Sequence, residues 1–190
     1  MAKTPSTPKS ASAGRDSKAK GRDSNARGVL RRAIYPGTFD PPHKGHVDLI
    51  RRGCSLVDEL VVAVAVNREK DPAFTVEERV DLLVKASGNL GNLRVVPFDG
   101  LVVELYQEVS ASFLLRGIRT FADFEAEYTM ALTNRSLSGA VPAETVFVLP
   151  SLEYSHFSSR HVKEIALFGG DVRSFLPEEI ADEVIERLAI

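Results

Sequence analysis

The chain has no tryptophan, one cysteine and two methionines among its 190 residues, and only 7% of them are aromatic. A single thiol, Cys54, excludes an intramolecular disulfide and any multi-cysteine metal site. Its setting, Ile50-Arg51-Arg52-Gly53-Cys54-Ser55-Leu56-Val57, is helical and partly apolar, which favours packing over nucleophilic catalysis. No apolar run approaches the ~18 residues that a membrane-spanning helix needs, and no signal-peptide core precedes the body. The protein is therefore expected to be soluble and cytoplasmic, with no membrane partner. Charge of one sign is lacking too: 24 Lys/Arg against 26 Asp/Glu leave a formal net charge of −2.

That balance conceals an asymmetry. Residues 1–32 hold nine Lys/Arg against two Asp, whereas the remainder holds 15 Lys/Arg against 24 Asp/Glu. Residues 1–28 are rich in Ser, Ala, Lys, Arg and Gly and have almost no large apolar side chains, so burial cannot repay the entropy of ordering them. They are expected to form a disordered basic tail, with residues 29–190 as one catalytic domain. A basic tail is compatible with contact to nucleic acid or an anionic surface, or with a transit peptide. Asp16, Asp23 and the absence of an amphipathic pattern speak against targeting, and a solvated extension without a specific nucleic-acid partner is the simpler reading.

With 44% hydrophobic residues, the body is large enough for one sizeable core. Its pattern alternates. Val29-Leu30 with Ala33-Ile34 reads as a short strand, followed by helical periodicity through Val47–Arg52. Glu59–Val66 is a β-branched run of the kind buried on both faces of a sheet. Thr75 and Glu78 form a capping box that opens a helix to about Ala86. Strands are expected at Leu93–Phe98, Ala111–Arg116 and Glu144–Leu149, and helices at Leu101–Val109, Phe121–Leu137, Ser158–Phe168 and Pro177–Leu188. Alternation of this kind predicts an α/β, Rossmann-like, doubly wound five-stranded parallel sheet with helices on both faces, which binds ligands beyond the carboxyl ends of its strands.

Three loops after strands carry chemistry. The first is Tyr35-Pro36-Gly37-Thr38-Phe39-Asp40-Pro41-Pro42-His43-Lys44-Gly45-His46. A glycine and a small hydroxyl at a strand-to-helix junction let backbone approach a phosphate, the helix start offers free N–H groups, and two imidazoles flank Gly45. The second is Arg116-Gly117-Ile118-Arg119, where two forked donors three apart suit a polyphosphate or substrate phosphate. The third runs from Pro150 to Glu164, where Ser158 and Ser159 can offer hydroxyls and N–H groups at a helix start, Ser158 serving equally as a plain cap.

The His-x-Gly-His turn resembles the signature of the nucleotidylyltransferase superfamily. Tyr-Pro-Gly-Thr-Phe-Asp-Pro at 35–41, Phe-Thr-x-Glu-Glu-Arg-Val at 74–80, Arg-Gly-Ile-Arg at 116–119, Asp-Phe-Glu-x-Glu at 123–127, Asn134-Arg135 and Val-Lys-Glu at 162–164 fall in the order of one family. From about Ala33 onward the chain is similar to the bacterial phosphopantetheine adenylyltransferases. The resemblance implies transfer of AMP from ATP to 4′-phosphopantetheine, giving dephospho-coenzyme A and pyrophosphate in coenzyme A synthesis. It implies that His46 stabilises the transition state, that Thr38, Lys70, Val102 and Arg116 meet the acceptor, and that Thr38, Phe39, His46, Gly117, Ile118, Arg119, Glu127 and the run Tyr154, Ser155, His156, Phe157, Ser158, Ser159, Arg160 meet ATP. It further implies a homohexamer, coenzyme A as a feedback inhibitor, and Mg²⁺ carried by the ATP phosphates with no dedicated protein metal site.

The chain departs from that pattern in two places. Family members commonly carry Thr-Asn-Gly-His where this chain has His43-Lys44-Gly45-His46, and a third serine where it has Arg160. His43 gives the turn the form found in cytidylyltransferases and nicotinamide mononucleotide adenylyltransferases. Another nucleotidylyltransferase with a different phosphorylated acceptor, and a non-catalytic nucleotide-binding module, are the alternatives to the leading reading.

Overall fold

The computed structural model describes Met1, residues 30–66 and residues 72–189. The chain runs β1 (Arg32–Gly37), α1 (Lys44–Leu56), β2 (Glu59–Ala65), α2 (Val76–Ser87), β3 (Leu93–Phe98), α3 (Val102–Glu108), β4 (Phe113–Gly117), α4 (Phe121–Leu137), β5 (Thr145–Val148), α5 (Ser159–Leu167) and α6 (Glu178–Leu188). Single 3-10 turns cover Leu152–Tyr154 and Arg173–Phe175. The five strands form one parallel sheet in the order β3-β2-β1-β4-β5. This is the doubly wound architecture expected from the alternation of elements.

Local signals set most boundaries. Thr75 accepts from the Glu78 N–H while Glu78 accepts from the Thr75 N–H, so the capping box is closed at both ends. Ser158 caps α5 by accepting from the His161 N–H, and Gly169 follows that helix at φ 74°. The first strand is the exception. Expected at residues 29–34, it begins at Arg32 and runs to Gly37, so the first three residues of the opening turn are strand. Pairing with β2 decides this, because Tyr35, Pro36 and Gly37 stand opposite Val62, Ala63 and Val64, a partnership that local polarity does not reveal.

The period of two along the strands divides the core. Ala33, Tyr35, Leu60, Val62, Val64 and Leu115 face α1 and α2, meeting Leu49, Ile50 and Leu83. Ile34, Val61, Ala63 and Leu114 face the other way onto Val103, Tyr106 and Val109. Cys54 lies partly buried against the first cluster. A third cluster joins α2, α5 and α6 through Phe74, Leu82, Val162, Ile180 and Val184.

The two central strands part early. β1 and β4 pair only at Ala33–Phe113 and Ile34–Leu114, whereas β1 stays with β2 as far as Gly37. Pro36 brings no N–H to the gap that opens. Its carbonyl instead accepts from Arg116 Nη1 at 2.7 Å, a side chain reaching across where a ladder would otherwise continue. A crevice therefore opens at the carboxyl ends of β1 and β4, where the strand order reverses.

Candidate active site

The crevice is a cleft of about 230 Å³ between the ends of β1 and β4, the starts of α1 and α5, and α4. His43, His46, Arg116, Arg119 and Glu127 supply its charged and imidazole groups, and Ser158 and Ser159 its hydroxyls. Close approach is needed twice. A Cβ on Gly37 would lie 2.7 Å from the Phe39 ring, and one on Gly117 would lie 2.3 Å from Leu49 Cδ1, so the Leu49 side chain would have to move from the end of β4.

After β1 the chain turns sharply. Phe39 adopts φ 52°, a left-handed conformation that costs a bulky residue about 1–3 kcal/mol and persists only when its surroundings enforce it. Asp40 supplies part of that enforcement. Its buried carboxylate accepts from the Phe74 and Ala73 N–H groups at 3.0 and 3.2 Å and from Lys163 Nζ at 2.6 Å, binding α5 and the approach to α2 to the turn. Thr38 lends its carbonyl to Arg79 Nη1 at 2.7 Å.

The two imidazoles work as a pair. Their rings stack with centroids 3.6 Å apart, and the edge of Phe39 meets His46 at 4.9 Å. The His43 N–H donates to His46 Nδ1 at 3.2 Å. That acceptor role places the proton of a neutral His46 on Nε2. Burial first, then His43 and Arg119, hold the His46 pKa well below the usual histidine value. Burial, with Arg119 adding to it, lowers His43 to about 3. At neutral pH both rings are uncharged, and His46 is a hydrogen-bond donor rather than a cation. His43 Nδ1 is buried without a hydrogen-bond partner among the described residues.

Opposite stand the arginines. Arg116 holds Glu127 with two parallel bonds, Nε to Oε2 and Nη2 to Oε1, both 2.6 Å. Burial opposes its charge, but Glu127 outweighs that and raises its pKa. Arg119 pairs with Asp123 on the first turn of α4 and donates from Nη1 to the Phe157 carbonyl at 2.6 Å. Thr120 caps α4. Tyr35, buried beside these groups, has its phenol pKa raised chiefly by burial.

The structure thus gathers Phe39, His46, Arg116, Gly117, Arg119, Glu127, Tyr154, Ser158 and Ser159 around one cleft. Ser159 donates to the Pro41 carbonyl at 2.8 Å, joining the third loop to the first. Other expected residues stand apart. Val102 opens α3 and packs on the cluster of Ile34 and Val61. Ile118 lines a neighbouring apolar hollow with Phe121, Phe124 and Leu149. Ser155 donates to the Leu152 carbonyl, His156 packs on Phe157 and Phe175, and Phe157 backs His43. Arg160 lies in a separate groove with Lys163, Leu167 and Arg187. Lys44 turns from the cleft and donates to the Ser174 carbonyl at 2.8 Å. Lys70 lies outside the described residues.

Three supporting residues were not singled out by sequence reasoning: Asp40, Arg79 and Asp48. Asp48 accepts from both the N–H and the hydroxyl of Ser151, at 2.8 and 2.9 Å, tying α1 to the loop after β5. Arg79 did leave a signal, since Val76, Arg79 and Leu83 share one helical face and the outer two are apolar.

Known proteins resemble this chain in sequence and in fold. A cytidylyltransferase-like family profile matches residues 34–165. A phosphopantetheine adenylyltransferase of Caldanaerobacter subterraneus subsp. tengcongensis is 45% identical over 158 residues, 83% of this chain and 98% of that one. A second, from Lachnoclostridium phytofermentans, is 47% identical over 154 residues, 81% of this chain and 93% of the other. Among solved structures, a bifunctional NMN adenylyltransferase/ADP ribose pyrophosphatase from Francisella tularensis shares the fold at 13% identity, with a TM-score of 0.56 over 83% of this chain. The match spans about half of that bifunctional protein, 49% of its length.

Proposed function

The chain belongs to the phosphopantetheine adenylyltransferases, within the cytidylyltransferase-like family, and on that premise we propose that the cleft at the ends of β1 and β4 is its adenylyl-transfer site. The enzyme is a nucleotidyltransferase that joins AMP from ATP to 4′-phosphopantetheine in coenzyme A synthesis. A phosphate oxygen of the acceptor attacks the α-phosphorus of ATP, the α–β anhydride bond breaks, and dephospho-coenzyme A and pyrophosphate result. No covalent enzyme intermediate is needed, so rate comes from positioning and from donors aimed at developing charge.

The observation that carries the site assignment is the hydrogen bond from the His43 N–H to His46 Nδ1 at the edge of the cleft. A neutral imidazole whose Nδ1 is occupied by the His43 N–H keeps its proton on Nε2, and in a side chain that lines the cleft this would be a donor suited to a non-bridging α-phosphate oxygen as it gains charge. Arg116 and Thr38 would receive the acceptor phosphate, with Lys70 contributing. Arg119, Gly117 and the hydroxyls of Ser158 and Ser159 would surround the nucleotide, and Glu127 its ribose or base end. Val102, Ile118, Ser155, His156, Phe157 and Arg160 lie outside the cleft lining and would meet substrate only where it extends beyond the cleft.

Among the described residues lining the cleft, the only carboxylate is Glu127, already engaged by Arg116. That donor set suits magnesium brought in on the ATP phosphates, where it would offset their charge. Coenzyme A carries both the pantetheine arm and the adenine nucleotide, so it would compete for the same cleft. Self-association, with the homohexamer as the family form, is favoured by α4, which has no buried residue and exposes Phe124, Tyr128, Met130 and Leu132. No helix among the described residues is long and apolar enough to cross a membrane, and a cytoplasmic location is proposed with residues 29–190 as the catalytic unit.

Pyrophosphate release from protein, magnesium, ATP and phosphopantetheine tests the reading. Release by the wild type and its loss in His46→Ala support it. A silent wild type, or a full rate in the variant, sinks it.

A further inference from the structure

Among the described residues Arg79 is the largest side chain that is almost wholly buried, 1% exposed, and it makes no salt bridge with any of them. A buried charge without a contacting carboxylate is costly, and an apolar residue on the Val76–Leu83 face of α2 would be cheaper. What retains it is four carbonyls. Nε donates to Phe74 O at 3.1 Å and Thr75 O at 3.2 Å, while Nη1 donates to Thr38 O at 2.7 Å and Ala65 O at 3.0 Å.

These acceptors come from three places. Ala65 ends β2, Phe74 and Thr75 precede α2, and Thr38 opens the turn after β1. The guanidinium therefore grips both ends of the β2–α2 connection and locks them to the turn that carries Thr38, strained Phe39 and, one step further, His46. Asp40 repeats the connection from the other side through the Ala73 and Phe74 N–H groups. Neither contact touches the cleft.

We infer that Arg79 is a positioning residue for adenylyl transfer: by holding the Thr38 carbonyl its forked, buried contacts set where the Thr38 hydroxyl stands relative to His46. The inference rests on the proposed reading of the cleft. Lysine cannot substitute, because one ammonium cannot serve acceptors divided between Nε and Nη1. A displacement of about 1 Å at a site of this kind costs up to about 10²-fold in rate.

The test measures kcat for wild type, Arg79→Lys and Arg79→Gln, each about 20 °C below its own Tm, with Val184→Ala as a core variant that lowers Tm away from the turn. Both Arg79 variants are expected to lose about 10- to 100-fold in kcat while Val184→Ala stays within threefold of wild type. In a Thr38→Ala background the Arg79→Lys loss should shrink to threefold or less. Arg79→Gln, which removes the buried charge, carries the same expectation if Arg79→Lys does not fold. Wild-type turnover with an unchanged kcat in the folded Arg79 variant overturns the inference alone, as does a full loss persisting without Thr38. Absence of wild-type turnover would instead remove the functional reading beneath it.

Discussion

Helices α1 and α4 begin at the carboxyl ends of the two central strands and form opposite walls of the cleft, yet they are held in different ways. α1 buries Gly45, Val47, Leu49, Ile50 and Gly53, so the wall carrying His46 is continuous with the core. α4 is longer, 17 residues against 13, and buries none. It is attached by polar pairs, Arg116–Glu127, Arg119–Asp123 and Arg135–Glu144, while Phe121 stands 93% exposed and Leu132 51% exposed. One wall is made rigid by packing within the protomer. The other has charge to place it and apolar surface left over.

Several substitutions would break or sharpen that contrast. The largest effect is expected from Ile50→Ala, which empties a fully buried site behind the His46 wall and should cost about 2–5 kcal/mol in denaturant unfolding. A loss below 1 kcal/mol would show that α1 is not anchored as described. Next, His46→Ala should lower kcat by about 10²–10³ with little change in the far-ultraviolet spectrum, since one preorganised donor is removed.

The imidazole pair gives a prediction in pH. His43 has a folded pKa of about 3, below its ordinary 6.5, so the unfolded chain binds the proton first as pH falls. Its contribution is therefore intact above about pH 6.5 and lost progressively below it, at about 1.4 kcal/mol per pH unit. Unfolding midpoints between pH 7 and 5 should drop less steeply in His43→Asn than in wild type. Equal slopes would refute burial of a neutral ring.

The smallest effect on the protomer tests the other wall. Leu132→Ala on α4 should change unfolding free energy, measured under dissociating conditions, by no more than about 0.5 kcal/mol. Its visible consequence should be a lower molar mass by light scattering. A protomer as damaged as in Ile50→Ala, or an unchanged mass, would erase the distinction between the two helices.

What could be read from the chain alone follows the range of the physics involved. The bounds of β3 and α4, the Thr75–Glu78 capping box and the Ser158 cap depend on periodicity and on residues three or four apart, and the observed elements agree with them. The motif order also identified the family. Beyond that range only tertiary structure decided. It moved β1 onto Tyr35-Pro36-Gly37 through pairing with β2, and it set Lys163 on Asp40 across 123 positions. It also turned Lys44 toward Ser174, 130 positions away, and gave Arg79 the carbonyl of Thr38, 41 away. Local backbone preferences are written in neighbouring residues, whereas a buried donor takes whichever acceptor the folded chain brings within 3 Å.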